Sequence, residues 1–131
     1  MSSKPETVFY TGVHRYLPTD LHREKMCNPY RGGTWDFWFS GTHDLWIEYK
    51  FVVLPKRDST MVDVTLSDLQ IDWGKSRYQE GRSIAVIVGC KEGGIILTDR
   101  EWEQSFTCEE FRARIISRTD LAQWIVNATG E

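Results

Sequence analysis

No stretch of the chain approaches the run of about 18 apolar residues that crosses a bilayer, so no membrane partner is expected. Cysteine is scarce. Cys27, Cys90 and Cys108 lie far apart and are odd in number, forming neither a CxxC metal knuckle nor a disulfide framework. The opening MSSKPETVFY lacks the basic region and apolar stretch of a secretory signal, and a cytoplasmic setting is the simplest expectation. Internal repeats, low-complexity tracts and Gly/Ser linkers are also missing. Nor is there a basic excess: the formal charge is −3, which argues against indiscriminate binding to nucleic acid. The charge is unevenly spread, however. Residues 1–60 carry eight Lys/Arg against seven Asp/Glu, and residues 61–131 carry eight against twelve. Two divalent cations among the acids of the first half would reverse the overall sign, so charge alone does not exclude an enzyme acting on a polyanion.

What is present suits a single folded domain spanning 1–131. Hydrophobic residues make up 40% and aromatics 13%, with six Trp, enough for a real core. A first helix fits 5–16, weakened by Gly12, and Thr19 can cap a short second helix to about Met26. CNPYRGGT is turn chemistry. Two strands follow, WDFWFS and DLWIEYKFVV, separated by Gly41-Thr42-His43. A loop over 55–61 leads to a helix over roughly 67–80 and a buried strand, SIAVIVG. A Gly93-Gly94 turn and a short IIL strand come next. From about 107 the chain reads as a helix with Phe111, Ile115 and Ile116 on one face, then a frayed end. The order is α-β-β-α-β-β-α. Residues 84–88 need cover on both faces, which favours an α/β (α+β) sandwich with a central mixed sheet flanked by helices.

The strand around Glu48 carries the chemistry. Side chains alternate faces, so Leu45, Ile47, Tyr49 and Phe51 share an apolar face, and Asp44, Trp46, Glu48 and Lys50 share the other. Folding the two strands about Thr42 sets Asp36 opposite Glu48, with Cβ atoms about 5 Å apart. Two carboxylates this close repel, and a bound Mg²⁺ relieves the repulsion. Lys50, on the same face, would orient or help deprotonate a water, or offset charge on a pentacovalent phosphate. Metal, activated water and charge compensation are the minimum for phosphodiester hydrolysis.

The string GGTWDFWFSGTHDLWIEYK resembles the G-x-x-D…E-x-K core of the PD-(D/E)XK nucleases. Its continuation, LSDLQIDWGKSRYQEGRSIAVIVG, is similar to the segment that follows in VRR-NUC domains. There a Leu-Ser-x-x-Gln-x-x-Trp helix leads through a Gly to a hydrophobic strand. Leu66, Ser67, Gln70, Trp73, Gly81, Ala85 and Val86 stand at the corresponding places, and the likeness spans about residues 29–90. It implies a restriction-endonuclease-like core and a phage origin. It also implies that Asp36 and Glu48 hold Mg²⁺ or Mn²⁺, that the Tyr49 carbonyl adds an oxygen, and that Lys50 and Gln70 complete the catalytic set. Trp35 stands where that family usually has Pro, a residue that shapes the turn rather than the chemistry. These families also place an acid on an N-terminal helix. Glu24, in HREKM, is the preferred candidate, with Glu6 second because it lies at a helix start far from the motif.

Each of these residues has a plainer role open to it. Asp36, Glu48 and Lys50 would otherwise form a solvated hairpin face with a weak ion pair. Gln70 would be an exposed helix residue, and Glu24 part of a polar helix face. Arg31, Lys56, Arg57, Lys75 and Arg77 are candidate phosphate contacts. Arg31 leads them because Gly32 and Gly33 beside it let bare backbone approach a phosphate. The three His lack zinc-ligand spacing. The Trp residues read mainly as packing, with Trp46 the one that could touch nucleic acid. The expected activity is a Mg²⁺- or Mn²⁺-dependent DNA endonuclease that uses no organic cofactor. Structure selectivity is expected too, as in a Holliday junction resolvase or flap nuclease. Resolution of a Holliday junction needs two symmetric cuts, so under that reading a homodimer is expected. The alternatives are a catalytically silent nucleic-acid-binding or inhibitor protein, and an unselective exonuclease or nicking enzyme.

Overall fold

The computed structural model describes residues 4–26 and 32–130. Helix α1 (Pro5–His14) starts on a proline, whose missing N–H is harmless in a first turn, and buries Phe9 and Val13. Strand β1 is His22–Lys25, β2 is Phe37–Ser40 and β3 is Asp44–Phe51. A two-residue strand, β4 (Met61–Val62), precedes helix α2 (Asp68–Gln79). Strand β5 is Ile84–Cys90 and β6 is Gly93–Leu97. A 3₁₀ turn at Glu101–Glu103 leads to β7 (Phe106–Thr107) and to helices α3 (Cys108–Arg114) and α4 (Arg118–Thr129).

Five strands form one sheet in the order β1-β2-β3-β5-β6, and β4 pairs with β7 apart from it. Only β3 and β5 run parallel; the other pairings in the large sheet are antiparallel. The fold is therefore the expected α+β sandwich, a mixed central sheet with helices on its faces. All seven residues of β5 are buried, because apolar clusters lie on both sides of it. On one side α1 and α4 bring Phe9, Val13, Leu121 and Ile125 onto Leu45, Ile47, Tyr49 and Ile87. On the other, Trp35, Trp102, Phe106 and Phe111 cover Val86, Val88 and Ile95.

Three expectations are corrected. The segment 19–26 is not a helix: β1 takes its place, antiparallel to β2 with Glu24 opposite Trp38. Hydrogen bonds to a neighbouring strand override weak local helix preference, and exposed charged side chains suit a sheet edge. Gly93 and Gly94 are not a turn but the first residues of β6. The backbone oxygen of Ile116 lies where a Gly93 side chain would be, and Gly94 bridges Ile116. Nor does the C-terminus fray. Ile115 is extended and ends α3, Ser117 caps α4 by accepting from the Asp120 amide, and α4 supplies Leu121, Ala122 and Ile125 to the core. The turn segment at 27–31 lies outside the described residues.

Candidate functional site

The β2/β3 register pairs Phe37 with Ile47 and Trp38 with Trp46, so Asp36, one residue before β2, comes level with Glu48. The two residues interlock there. The Asp36 backbone N–H donates to Glu48 Oε1 at 3.1 Å, and the Tyr49 N–H donates to Asp36 Oδ2 at 3.2 Å. Trp46 donates its amide to Ser83 of the β5 side and Val52 to Gly89, so the even residues of β3 face β5 and Tyr49 faces β2. Asp36 Oδ2 thus replaces a strand partner that β2 is too short to supply. The Tyr49 carbonyl turns to the same side as its amide.

Helix α2 adds the next group. Ser67 and Gln70 form a capping box, in which Gln70 Oε1 accepts from the Ser67 N–H at 3.0 Å. That bond fixes which end of the amide points outward. Gln70 Nε2 therefore donates to Glu48 Oε2, at 2.9 Å. The helix start is pinned to the hairpin by Trp35, whose Nε1 donates to the Gln70 carbonyl at 2.9 Å. Gly74 makes this possible, because any side chain there would strike the Trp35 ring. Lys50 Nζ lies 3.6 Å from Glu48 Oε2.

Glu48 is 2% exposed, one of two buried polar or charged residues among those described. Burial and then the Asp36 charge push its carboxyl up to about 8, outweighing Lys50 and the Asp36 amide, which pull the other way. Glu6, in the first turn of α1, is half-buried and also raised, by desolvation and then by Asp36. Its charge reaches Glu48 as well. Lys50 and, around Glu6, Lys25 and Lys4 offset only part of these shifts. The donors at the site are hard oxygens from two carboxylates and a carbonyl, and among the described residues no three His, Cys, Asp or Glu side chains form a complete cage. That set fits Mg²⁺ or Mn²⁺, which accept one or two carboxylates and keep several waters, better than zinc.

Asp36, Glu48, Tyr49, Lys50 and Gln70 are brought together, and Glu24 is not. It sits on edge strand β1 with its side chain half exposed, 3.7 Å from His22, whereas Glu6 is the N-terminal acid whose charge acts on both Asp36 and Glu48. Sequence reasoning ranked Glu6 second because distance along the chain hid the return of α1 to the end of the hairpin. Ser67 was seen only as part of a resemblance, although S-x-x-Q before a helix is itself a capping signature. Gly33 has φ +95 and packs its bare Cα against Leu69, which accounts for that glycine by local structure. Lys56, Arg57 and Lys75 are exposed. Arg77 is bound to Glu80 at 2.8 Å and lies over the Trp73 ring. Arg31 lies outside the described residues.

Fold and site together define an α+β protein that gathers a carboxylate pair, a lysine and a glutamine at the end of a hairpin. No family model matches the sequence, and no curated protein matches it either. Among solved structures, the chain is similar to Hjc of Archaeoglobus fulgidus, a Holliday junction resolvase from an archaeal hyperthermophile. The superposition covers 88% of this chain and 95% of that one, with TM-score 0.48 and 11% identity. A likeness that distant assigns no activity.

Proposed function

We propose that this chain is a metal-dependent deoxyribonuclease whose centre is Asp36, Glu48 and Lys50. The observation that carries the reading is the interlocked Asp36–Glu48 pair, with Gln70 and Lys50 on the buried carboxylate. Asp36, Glu48 and the Tyr49 carbonyl would hold Mg²⁺ or Mn²⁺, with Glu6 rather than Glu24 as the additional acid. The bound cation would polarise a phosphodiester and lower the pKa of a water. Lys50 would orient that water or offset charge building on the phosphate, a reading supported by its place 3.6 Å from Glu48. Gln70 holds the Glu48 carboxylate in one rotamer, and its own orientation is held by Ser67. Asp36 is steadied by the Tyr49 amide, so neither carboxylate must reorganise during the reaction.

Within this class the preferred substrate is branched DNA, cut as by a Holliday junction resolvase or flap nuclease. The sequence resemblance over residues 29–90 supports this preference, and a branched substrate is recognised through backbone and shape. Symmetric cutting of a junction calls for a homodimer. Among the described residues no helix is long and apolar enough to cross a membrane, and action in the cytoplasm belongs to the proposal. A second reading, a silent nucleic-acid-binding protein, draws on the protein donors that occupy both Glu48 oxygens.

A cleavage panel tests this: linear duplex, single strand, flap and four-way junction, each with Mg²⁺, Mn²⁺ or chelator. Cleavage should need the metal, favour the branched substrates, and disappear in both Glu48→Ala and Lys50→Ala. Equal cleavage by wild type and variants would contradict the assignment of the centre. Cutting without preference among substrates would leave the centre and remove the branched-DNA claim.

A further inference from the structure

Beside the carboxylates, on the same face of the sheet, lies a run of indoles that the core does not need in full. Trp38 and Trp46 stack across β2 and β3, with ring centres 6.2 Å apart and planes at 26°. Trp46 meets Trp73 of α2 edge-on at 5.3 Å. All three rings are only half-buried. Indole surface left in water is costly, and these three occur together rather than scattered. Trp46 and Trp73 line a cleft of about 480 Å³ together with Thr34, Arg77, Glu80 and Arg82, and Trp38 stacks on Trp46 outside it. The cleft continues past Trp46 and Arg82 into a second hollow of about 570 Å³ at the hairpin turn.

The charge of the cleft matches its shape. Arg77 lies over the Trp73 ring at 5.4 Å, and Arg82 also lines the cleft, with a side chain 55% exposed. One carboxylate, Glu80, holds both, at 2.8 Å and 3.2 Å. Exposed pairs of this kind are weak, so a phosphate can compete for either guanidinium. Trp46 precedes Glu48 by two residues on one strand face, about 7 Å along the strand.

We infer that the Trp46–Trp73 cleft binds unpaired bases of a DNA strand next to the carboxylate centre, with Arg77 and Arg82 taking its phosphates. This rests on the nuclease reading for its purpose and narrows it: the substrate has a single-stranded or splayed segment at the point of attack. Flat aromatic faces accept any base, and guanidinium groups follow the backbone. A closed duplex hides its base faces and leaves the indoles idle.

Binding is read by fluorescence anisotropy on a labelled single strand and on a blunt duplex of the same sequence, with chelator present so that neither is cut. The single strand should bind about tenfold tighter than the duplex. Trp46→Ala should weaken the strand about tenfold while changing duplex affinity less than about twofold. Arg82→Ala, at an exposed position where folding is not at risk, should weaken the strand several-fold without moving the Tm. Trp38→Ala should have the smallest effect, since Trp38 stands outside the cleft. Strand binding at wild-type strength in both Trp46→Ala and Arg82→Ala would overturn the inference, as would a wild type that prefers duplex. Cleavage is scored separately, so the two readings can fail independently. Tryptophan-dependent strand binding without any cleavage would keep the cleft and remove the nuclease. Metal-dependent cleavage indifferent to Trp46 and Arg82 would do the reverse.

Discussion

The two faces of β3 differ sharply, although they alternate along one strand. On the odd face Leu45, Ile47 and Tyr49 are fully buried under α1 and α4. Even the polar atoms there are matched: His14 Nε2 meets the Tyr49 hydroxyl at 2.8 Å. On the even face Trp46 and Lys50 are half-buried, and Glu48 is enclosed beside a second carboxylate. The odd face satisfies every requirement of a stable core. The even face encloses a carboxyl that burial and the Asp36 charge push up to about 8, a perturbation of the kind that clusters at functional sites.

Substitutions on neighbouring residues should separate the faces sharply. Glu48→Ala should abolish metal-dependent cleavage, a loss of at least about a hundredfold. Ile47→Ala should leave the activity of folded molecules in place while costing about 2–5 kcal/mol of stability, read by urea denaturation. A variant of either residue that behaves like the other would erase the comparison.

The faces should also respond oppositely to pH. Burial and Asp36 raise the Glu48 carboxyl to about 8 from its ordinary 4.5. Between those values the native state holds a proton that the unfolded chain has released. Its contribution is therefore complete below about 4.5 and lost as pH rises toward about 8. Burial and then Arg23 lower His14 to about 4 from 6.5. Its contribution is complete above about 6.5 and lost as pH falls toward 4. Thermal melts of metal-free protein across pH 4–9 should show both limbs. Glu48→Gln should flatten the upper limb and His14→Gln the lower one; unchanged slopes would refute the assigned environments.

Smaller effects sharpen the outline of the even face. Glu6→Gln should lower kcat/KM about tenfold or more, while Glu24→Gln should change it less than about twofold, as suits an exposed pair. Ser67→Ala should cost about 1 kcal/mol as a lost helix cap. It should leave activity nearly unchanged, because the bond that orients the Gln70 amide comes from the Ser67 backbone N–H, which alanine keeps.

Much of this contrast was legible before any coordinates. Alternation along DLWIEYKF set the faces, and the Gly41-Thr42-His43 turn set the register, since a slip of one residue would have buried the charges. The all-apolar run in β5 could only belong inside. The misses share a cause. β1 is four polar residues whose ladder bonds come from β2, so nothing local announces a strand. Ile115 and Ile116 look like the continuation of α3, yet Ile116 bridges Gly94 and Ser117 begins another helix. Glu6 was ranked below Glu24 because closeness in sequence stood in for closeness in space. The packing of α1 against the sheet is what lets the Glu6 charge act on Asp36 and Glu48.

Calorimetry of Mn²⁺ binding at pH 7, in two buffers of different protonation enthalpy, tests the central claim most directly. If Asp36 and Glu48 form the cation site, wild type should bind Mn²⁺ and release a proton, because a carboxyl held near 8 must give it up to coordinate. Glu48→Gln should bind more weakly and release none. Wild-type protein that binds no Mn²⁺, or a variant that binds and releases protons as wild type does, would contradict the account.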